Sequence, residues 1–426
     1  MFDATMINVG TMIGSGVFLV PSSVALYLMA PEPVMLVWVI GGFISLLGAL
    51  SMAELSAAMP EAGGQVVYLA EAYGPLAGFL YGWTAFTLIN PASIAALAVA
   101  FVSYLGFFVH LDRVVANAVA IGTIAILTII NSFGLRYGAI TQNLLTIIKV
   151  ALLFVLIGAG LLLPSNAQAV AASATPEGGL VSRFGLAMII CLWAYDGWME
   201  VTYVGGEVKD PGRNLPRSIL WSLMLVIGIY LLVNAALLAT LGIGGMAAST
   251  AVASDAAVAT MGATGAAFVA IGVMVSTLGS NNGIVICSAR APYALAQRGY
   301  FMAWAGAIHP RFKTPVLALL AQAVWSAILV LTGTFNQLAT YVVFASFVFY
   351  AASAGAVLVL RRRRPDMERP YRTWGYPVTP ILFILFAAWL VGNTISAAPR
   401  DALVGLGMIA LGVPVFWYWK KRGRES

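Results

Sequence analysis

The feature that most constrains this chain is the recurrence, along nearly all of its 426 residues, of apolar runs long enough to cross a lipid bilayer. Val34 to Ala53 and Ala151 to Leu163 contain no charged residue at all. A helix needs about 20 apolar residues to span the hydrocarbon core, and only helices or closed barrels satisfy their backbone there. The chain is 9% charged, against roughly 25% for soluble globular proteins, too little to cover a water-facing surface. The runs predict an all-α membrane protein of about twelve spans in one transmembrane domain, 1–426, with no soluble module. The spans are read at 3–28, 33–57, 75–108, 114–133, 141–163, 184–204, 215–242, 258–288, 315–333, 338–360, 377–397 and 403–419.

Charge placement orients the spans. With the N-terminus cytoplasmic, eighteen of the 22 Lys and Arg residues fall in predicted inside loops or the C-terminal tail. Only Arg113, Arg183 and Arg400 fall outside, and Lys149 lies within a span. The bias predicts both termini cytoplasmic in a multi-pass cell (inner) membrane protein. The basic net charge of +6 is thus a topology signal, and no basic patch interleaved with aromatics points to nucleic acid. The Arg-rich stretch 361–372 reads as an anchor near anionic headgroups, and separates ten spans from the last two. The predicted outside loop 164–183, rich in Ala, Ser, Pro and Gly, reads as flexible. Cys191 and Cys287 sit in apolar segments without metal-ligand spacing and read as small buried hydrophobes. No signal peptide precedes the first span. Met1-Phe2-Asp3 leads straight into it, an abrupt start of the kind left by a missing cytoplasmic extension.

Two spans are interrupted. Gly10-Thr11-Met12-Ile13-Gly14-Ser15-Gly16 places three glycines inside the first, each weakening a helix by about 1 kcal/mol relative to Ala. Trp193-Ala194-Tyr195-Asp196-Gly197-Trp198-Met199-Glu200 places two acids and a glycine inside the sixth. Broken helices at matching positions of two halves point to a transporter's binding site. Spans one and six each open a set of five. That predicts a 5+5 inverted repeat (1–163 and 184–360) with two appended helices (377–420), inferred from the breaks and not from matching residues. Freed N–H groups at Ser15 and Gly16 suit a carboxylate, and freed carbonyls at Met12, Trp193 and Asp196 suit an ammonium. Two such breaks fit the zwitterion of an α-amino acid. Lys149, near mid-span five, is expensive there and functional by default. Its ammonium is expected to neutralise carbonyls bared by the first break.

These residues, together with Ala53-Glu54-Leu55, Pro60-Glu61-Ala62-Gly63-Gly64, Gly206-Glu207-Val208-Lys209-Asp210-Pro211-Gly212-Arg213-Asn214-Leu215-Pro216 and Arg369-Pro370-Tyr371-Arg372, resemble the amino acid–polyamine–organocation superfamily. The likeness is closest to its bacterial L-type amino acid transporter branch and runs the length of the chain. It implies a LeuT-type fold and sodium-independent exchange of neutral L-amino acids by alternating access. It implies carboxylate binding at Gly14, Ser15 and Gly16, amine binding at the carbonyls of Met12, Trp193 and Asp196, and Lys149 in place of a sodium ion. It implies Trp193 as an aromatic gate, and Tyr230 as a tyrosine involved in substrate binding and release. Met199 stands where this family usually has Asn, implying a more apolar side-chain pocket. The animal carriers join a heavy chain through a cysteine after span three. His110-Leu111-Asp112-Arg113 has none, so no disulfide-linked partner is expected.

Other polar residues admit two readings. Glu54, Glu61, Glu207, Lys209, Asp210, Arg213 and Arg217 form either a breakable inner gate or interfacial anchors. Asn281-Asn282-Gly283 is either a wall of the site or an interhelical hydrogen-bond cluster. No nucleophile–base pair, phosphate loop, cofactor or metal cluster stands out, and the expectation is not an enzyme. The competing readings are a proton-coupled symporter, with Lys149 or Glu54 titrating, and, in another class, a channel or nutrient receptor.

Overall fold

A computed structural model describes residues 1–167, 179–332, 335–397 and 399–422, and among these every regular element is helical. In chain order they are α1 (Phe2–Met12), α2 (Gly16–Leu28), α3 (Pro31–Ala58), α4 (Gln65–Tyr73), α5 (Pro75–Thr84) and α6 (Asn90–Leu105). Next come α7 (Arg113–Ser132), α8 (Leu135–Leu162), α9 (Leu180–Tyr195), α10 (Pro211–Ala248), α11 (Val252–Met261) and α12 (Thr264–Ser288). The last are α13 (Arg290–Gln297), α14 (Val316–Thr332), α15 (Phe335–Arg363), α16 (Val378–Ala397) and α17 (Pro399–Arg422). Among the described residues ten helical stretches are long and apolar enough to cross a membrane, and the bent pair α1–α2 makes an eleventh. The remaining expected span is α14, whose 17 residues sit at the short end of what can cross. The expected loop 164–183 falls largely outside the described residues.

Helix starts follow local chemistry. Asp112 caps α7, its carboxylate accepting from the Val114 and Val115 N–H groups at 2.9 Å. Pro31 and Pro75 occupy first-turn positions, where a missing N–H costs nothing. The third span runs through α5 and α6 with a π-helical turn at Ala85–Ile89 between them. Its cause is Pro91, which lacks the N–H that would reach Thr87. The Trp325 indole N–H donates to that carbonyl instead, at 2.8 Å. The span read as ending at 242 continues to Ala248 past a break at Gly242, where φ is +64°.

On the predicted cytoplasmic side, the Arg-rich segment that begins in the last turn of α15 does more than anchor topology. Glu54 near the end of α3 is 2% exposed. It accepts two hydrogen bonds from Arg361, at 2.8 and 2.7 Å, and one from the Thr373 N–H at 2.7 Å. Arg369 approaches it at 3.4 Å. Arg361 also lies over the Tyr376 ring, 3.9 Å from its centroid. Arg364 pairs with Glu71 at 2.7 Å, and Arg363 donates to the Ala72 carbonyl. Thus the segment ties α16 back to α3 and α4, and headgroup anchoring is at most part of its work. A charge-assisted hydrogen bond is worth about 1.5–3 kcal/mol. Glu54→Gln is therefore expected to destabilise the folded protein by about 2 kcal/mol, seen as a lower melting temperature in detergent. An unchanged melting curve would show the clamp to be ornamental.

Candidate functional site

The first break lies between α1 and α2, which meet at a 42° bend. In an unbroken helix the Gly14 N–H would bond the Gly10 carbonyl. It turns to Met12 instead, at 2.9 Å, and strands the carbonyls of Gly10 and Ile13. Lys149 of α8, wholly buried, meets them. Its Nζ is 2.6 Å from the Gly10 oxygen, 2.7 Å from that of Ile13 and 3.1 Å from that of Ser276 on α12. An ammonium has three hydrogens, and here it has three carbonyls. Ser280 lies 2.9 Å from the Gly10 and Ile13 oxygens, and Ser276 2.8 and 3.0 Å from those of Ile13 and Gly14. The carbonyls of Gly10, Ile13 and Gly14 are thereby covered, as membrane depth demands. The N–H groups of Ser15 and Gly16, by contrast, sit at the start of α2, where a helix has no partners of its own.

The second break follows α9. Asp196 is extended (φ −65°, ψ 151°) and Gly197 is left-handed at φ +102°. Past Trp198 and Met199 the chain tightens into a 3₁₀ segment, Glu200–Glu207. Gly197 is required twice over. Its φ disfavours any side chain, and a Cβ there would come within 2.9 Å of Thr11 and 3.2 Å of the Met12 nitrogen. Gly16 is equally tight, since a Cβ would meet Ala194 at 3.0 Å. The two breaks therefore touch backbone to backbone. They are also stitched by the Val201 N–H, which donates to the Asn8 side chain at 2.9 Å.

Tyr230 of α10 bridges the breaks, its hydroxyl 2.8 Å from both the Met12 and Ala194 carbonyls. One proton serves two acceptors. The expected free carbonyls are accordingly less free than the sequence suggests. Met12 accepts from Gly14 and faces Tyr230, while Trp193 accepts from the Asp196 N–H at 3.2 Å. The Asp196 carboxylate accepts from the Tyr350 hydroxyl at 2.7 Å.

Between the breaks lies a cavity of about 60 Å³. Of the residues singled out from the sequence, Met12, Gly14, Ser15, Gly16, Trp193 and Asp196 line it. Lys149 stands behind it, on the far side of the first break. Two do not line it. Tyr230 spends its hydroxyl on the main chain, and Met199 sits buried in the turn where its carbonyl accepts from Thr202. Of the gate candidates Trp193 lines the cavity and the two acids lie elsewhere: Glu207 pairs with Arg290 at 2.9 Å, and Glu61, 69% exposed, lies 3.7 Å from Arg298. They do not meet each other, because each is held by a different arginine around α13. Sequence reasoning missed the wall opposite the breaks, which includes Tyr81, Asn90, Ser346 and Tyr350. In sequence these resemble any polar residue of a buried helix. Glu200 lines the cavity as well, and an acid inside an apolar run was its one visible signal. Asn281 and Asn282 bond other helices, Asn282 joining Asn131 and Gln142 at 2.8 Å, so they fit the interhelical reading.

Because the breaks meet at Gly197, Gly197→Ala is expected to force them apart. The expected result is a protein that still inserts but melts earlier and loses at least about tenfold in function, since left-handed strain and the overlap add. Wild-type behaviour would place the breaks farther apart than described.

The family described as Amino acid permease matches residues 1–417. The chain is 32% identical over 430 aligned positions to the serine/threonine exchanger SteT of Bacillus subtilis, covering 99% of this chain and 96% of that protein. It is 31% identical over 410 positions to the human b(0,+)-type amino acid transporter 1, covering 94% and 82%. The mouse Asc-type amino acid transporter 1 is 31% identical over 444 positions, covering 99% and 81%. With a match over nearly its whole length, and with two broken helices meeting at a small buried cavity, this chain belongs to the amino acid permease family of secondary transporters.

Proposed function

We propose that the protein exchanges neutral L-amino acids across the cytoplasmic membrane by alternating access and without sodium. The observation that carries this reading is the Lys149 ammonium, seated on the carbonyls of Gly10, Ile13 and Ser276. A cation of fixed covalent attachment there fills the place a metal ion would need. The helix then stays broken without a co-transported ion, and little remains to couple transport to a sodium gradient. The names of the relatives, a serine/threonine exchanger among them, support exchange.

The substrate carboxylate sits at the start of α2, on the N–H groups of Ser15 and Gly16, where the helix dipole favours an anion. Its ammonium approaches the carbonyls of the second break and Met12. To reach Met12 it displaces the Tyr230 hydroxyl, which falls back on Ala194 O without losing its hydrogen bond. Tyr230 thus acts as a toggle between the loaded and unloaded breaks, and not as a wall of the pocket. Trp193, at the cavity edge, closes over the substrate. The five-helix halves move against each other around this point, with both termini cytoplasmic as the positive charge requires. The carrier works without a disulfide-linked partner, since Cys191 and Cys287 are buried and the segment His110–Arg113 offers no thiol. Proton coupling through Glu54 is disfavoured, because that carboxylate is occupied by Arg361 and Thr373.

In proteoliposomes, labelled uptake is expected to be fast when the lumen holds unlabelled amino acid and slow when it is empty. Replacing sodium by potassium or choline is expected to leave the rate unchanged. Lys149→Ala, which takes the ammonium away from the stranded carbonyls of Gly10 and Ile13, is expected to lower it by more than about tenfold. Equal uptake into loaded and empty vesicles would rule out exchange, and accumulation driven by an imposed pH gradient would establish symport instead.

A further inference from the structure

Four side chains lining the cavity carry polar atoms that are buried and have no hydrogen-bond partner: Ser15 Oγ, Asn90 Nδ2, Glu200 Oε2 and Ser346 Oγ. Buried polar atoms are nearly always paired, and an orphan calls for an explanation. Four around one cavity share an explanation in a polar ligand that completes them. Ser15 lies at the break and belongs to the zwitterion. The other three come from different elements, α6, the 3₁₀ segment after α9, and α15, and the carboxylate–ammonium pair does not account for them.

We propose that Glu200 decides the side chain carried, and that it selects a small hydroxylated one, as in serine or threonine. This assignment deepens the exchange reading above and rests on it for the placement of the zwitterion. A hydroxyl is the one small group that both donates and accepts. Its proton goes to Glu200, and its lone pairs meet Asn90 Nδ2 and Ser346. An alanine side chain fills the same space and leaves all three orphans unpaired, which is the condition under which a binding site discriminates strongly. The cavity, at about 60 Å³, is small, one water needing roughly 10–15 Å³ on the same measure. A long cationic stem finds no room, even though two carboxyl groups and, among the described residues, no Lys, Arg or His line the cavity. Asp196 already holds the Tyr350 hydroxyl, which leaves Glu200 as the open acceptor. Met199, from which a more apolar side-chain pocket was expected, does not line the cavity, whereas its neighbour Glu200 does.

The test compares matched pairs, serine with alanine and threonine with valine, as competitors of labelled serine counterflow in proteoliposomes. The same amino acids, with lysine added, are scored by the thermal stabilisation they give the purified full-length carrier in detergent. The hydroxylated member is expected to win each pair by about tenfold or more in half-maximal concentration. In Glu200→Leu the ratio within each pair is expected to fall to about twofold, while Glu200→Gln, which keeps an acceptor, preserves most of it. Ser346→Ala supplies a milder variant that shrinks the ratio should Glu200→Leu fail to fold. Equal affinities within the pairs in the wild type, lysine ahead of serine, or an unchanged ratio in Glu200→Leu would overturn the assignment. Preferential stabilisation by serine without counterflow would remove the exchange reading and leave this one standing, whereas counterflow without preference would do the reverse.

Discussion

Everything at the centre of this molecule depends on one ammonium group. A helix that stops and restarts halfway through a bilayer strands carbonyls where no water can reach them, at several kcal/mol each. Lys149 offers three hydrogens to two such oxygens, those of Gly10 and Ile13, and to the Ser276 carbonyl of α12, and the hydroxyls of Ser276 and Ser280 close the same cage. The lysine is costly at that depth and the break is costly without it. Together they are stable, and the helix can present free N–H groups on its other side. The proposed binding chemistry is a by-product of a backbone defect whose Gly10 and Ile13 carbonyls are satisfied while the N–H groups at the start of α2 are left open.

The same rule explains the other irregularities. Pro91 frees the Thr87 carbonyl and Trp325 takes it. The second break bares Ala194, and Tyr230 takes it while also touching Met12. These partners differ in what they can do next. The lysine has a carbonyl for each of its three protons and is fixed. The tyrosine has one proton and two acceptors, so its position is an equilibrium that a ligand can bias. Rigid and switchable parts of the site are thus distinguished by counting donors.

Away from the cavity, the charged residues of the described segments pair in separate clamps. Glu54 gathers Arg361, Arg369 and the Thr373 N–H, Glu71 lies near both Arg298 and Arg364, and Glu207 holds Arg290. The first of these is the most buried and joins the end of α15 and the segment leading into α16 to α3, which packs along α10, the helix that carries Tyr230. The appended pair is therefore mechanically continuous with the core.

The sequence by itself determined the all-helical membrane class, the positions of both breaks and the oddity of Lys149. Those features are local: hydrophobic run length, glycine spacing and a lone charge among apolar residues are legible without knowing what they touch. It gave no means of seeing that Tyr230 would bridge Met12 and Ala194, that Met199 would stand aside while Glu200 faced the cavity, or that Asn90 and Ser346 would complete the wall. Those are decided by the rotation of each helix about its axis and by the exact crossing of helices hundreds of residues apart. In a span apolar on all sides, no periodicity records which face turns inward. Only the packed bundle fixes that angle, and with it the chemistry of the side-chain pocket.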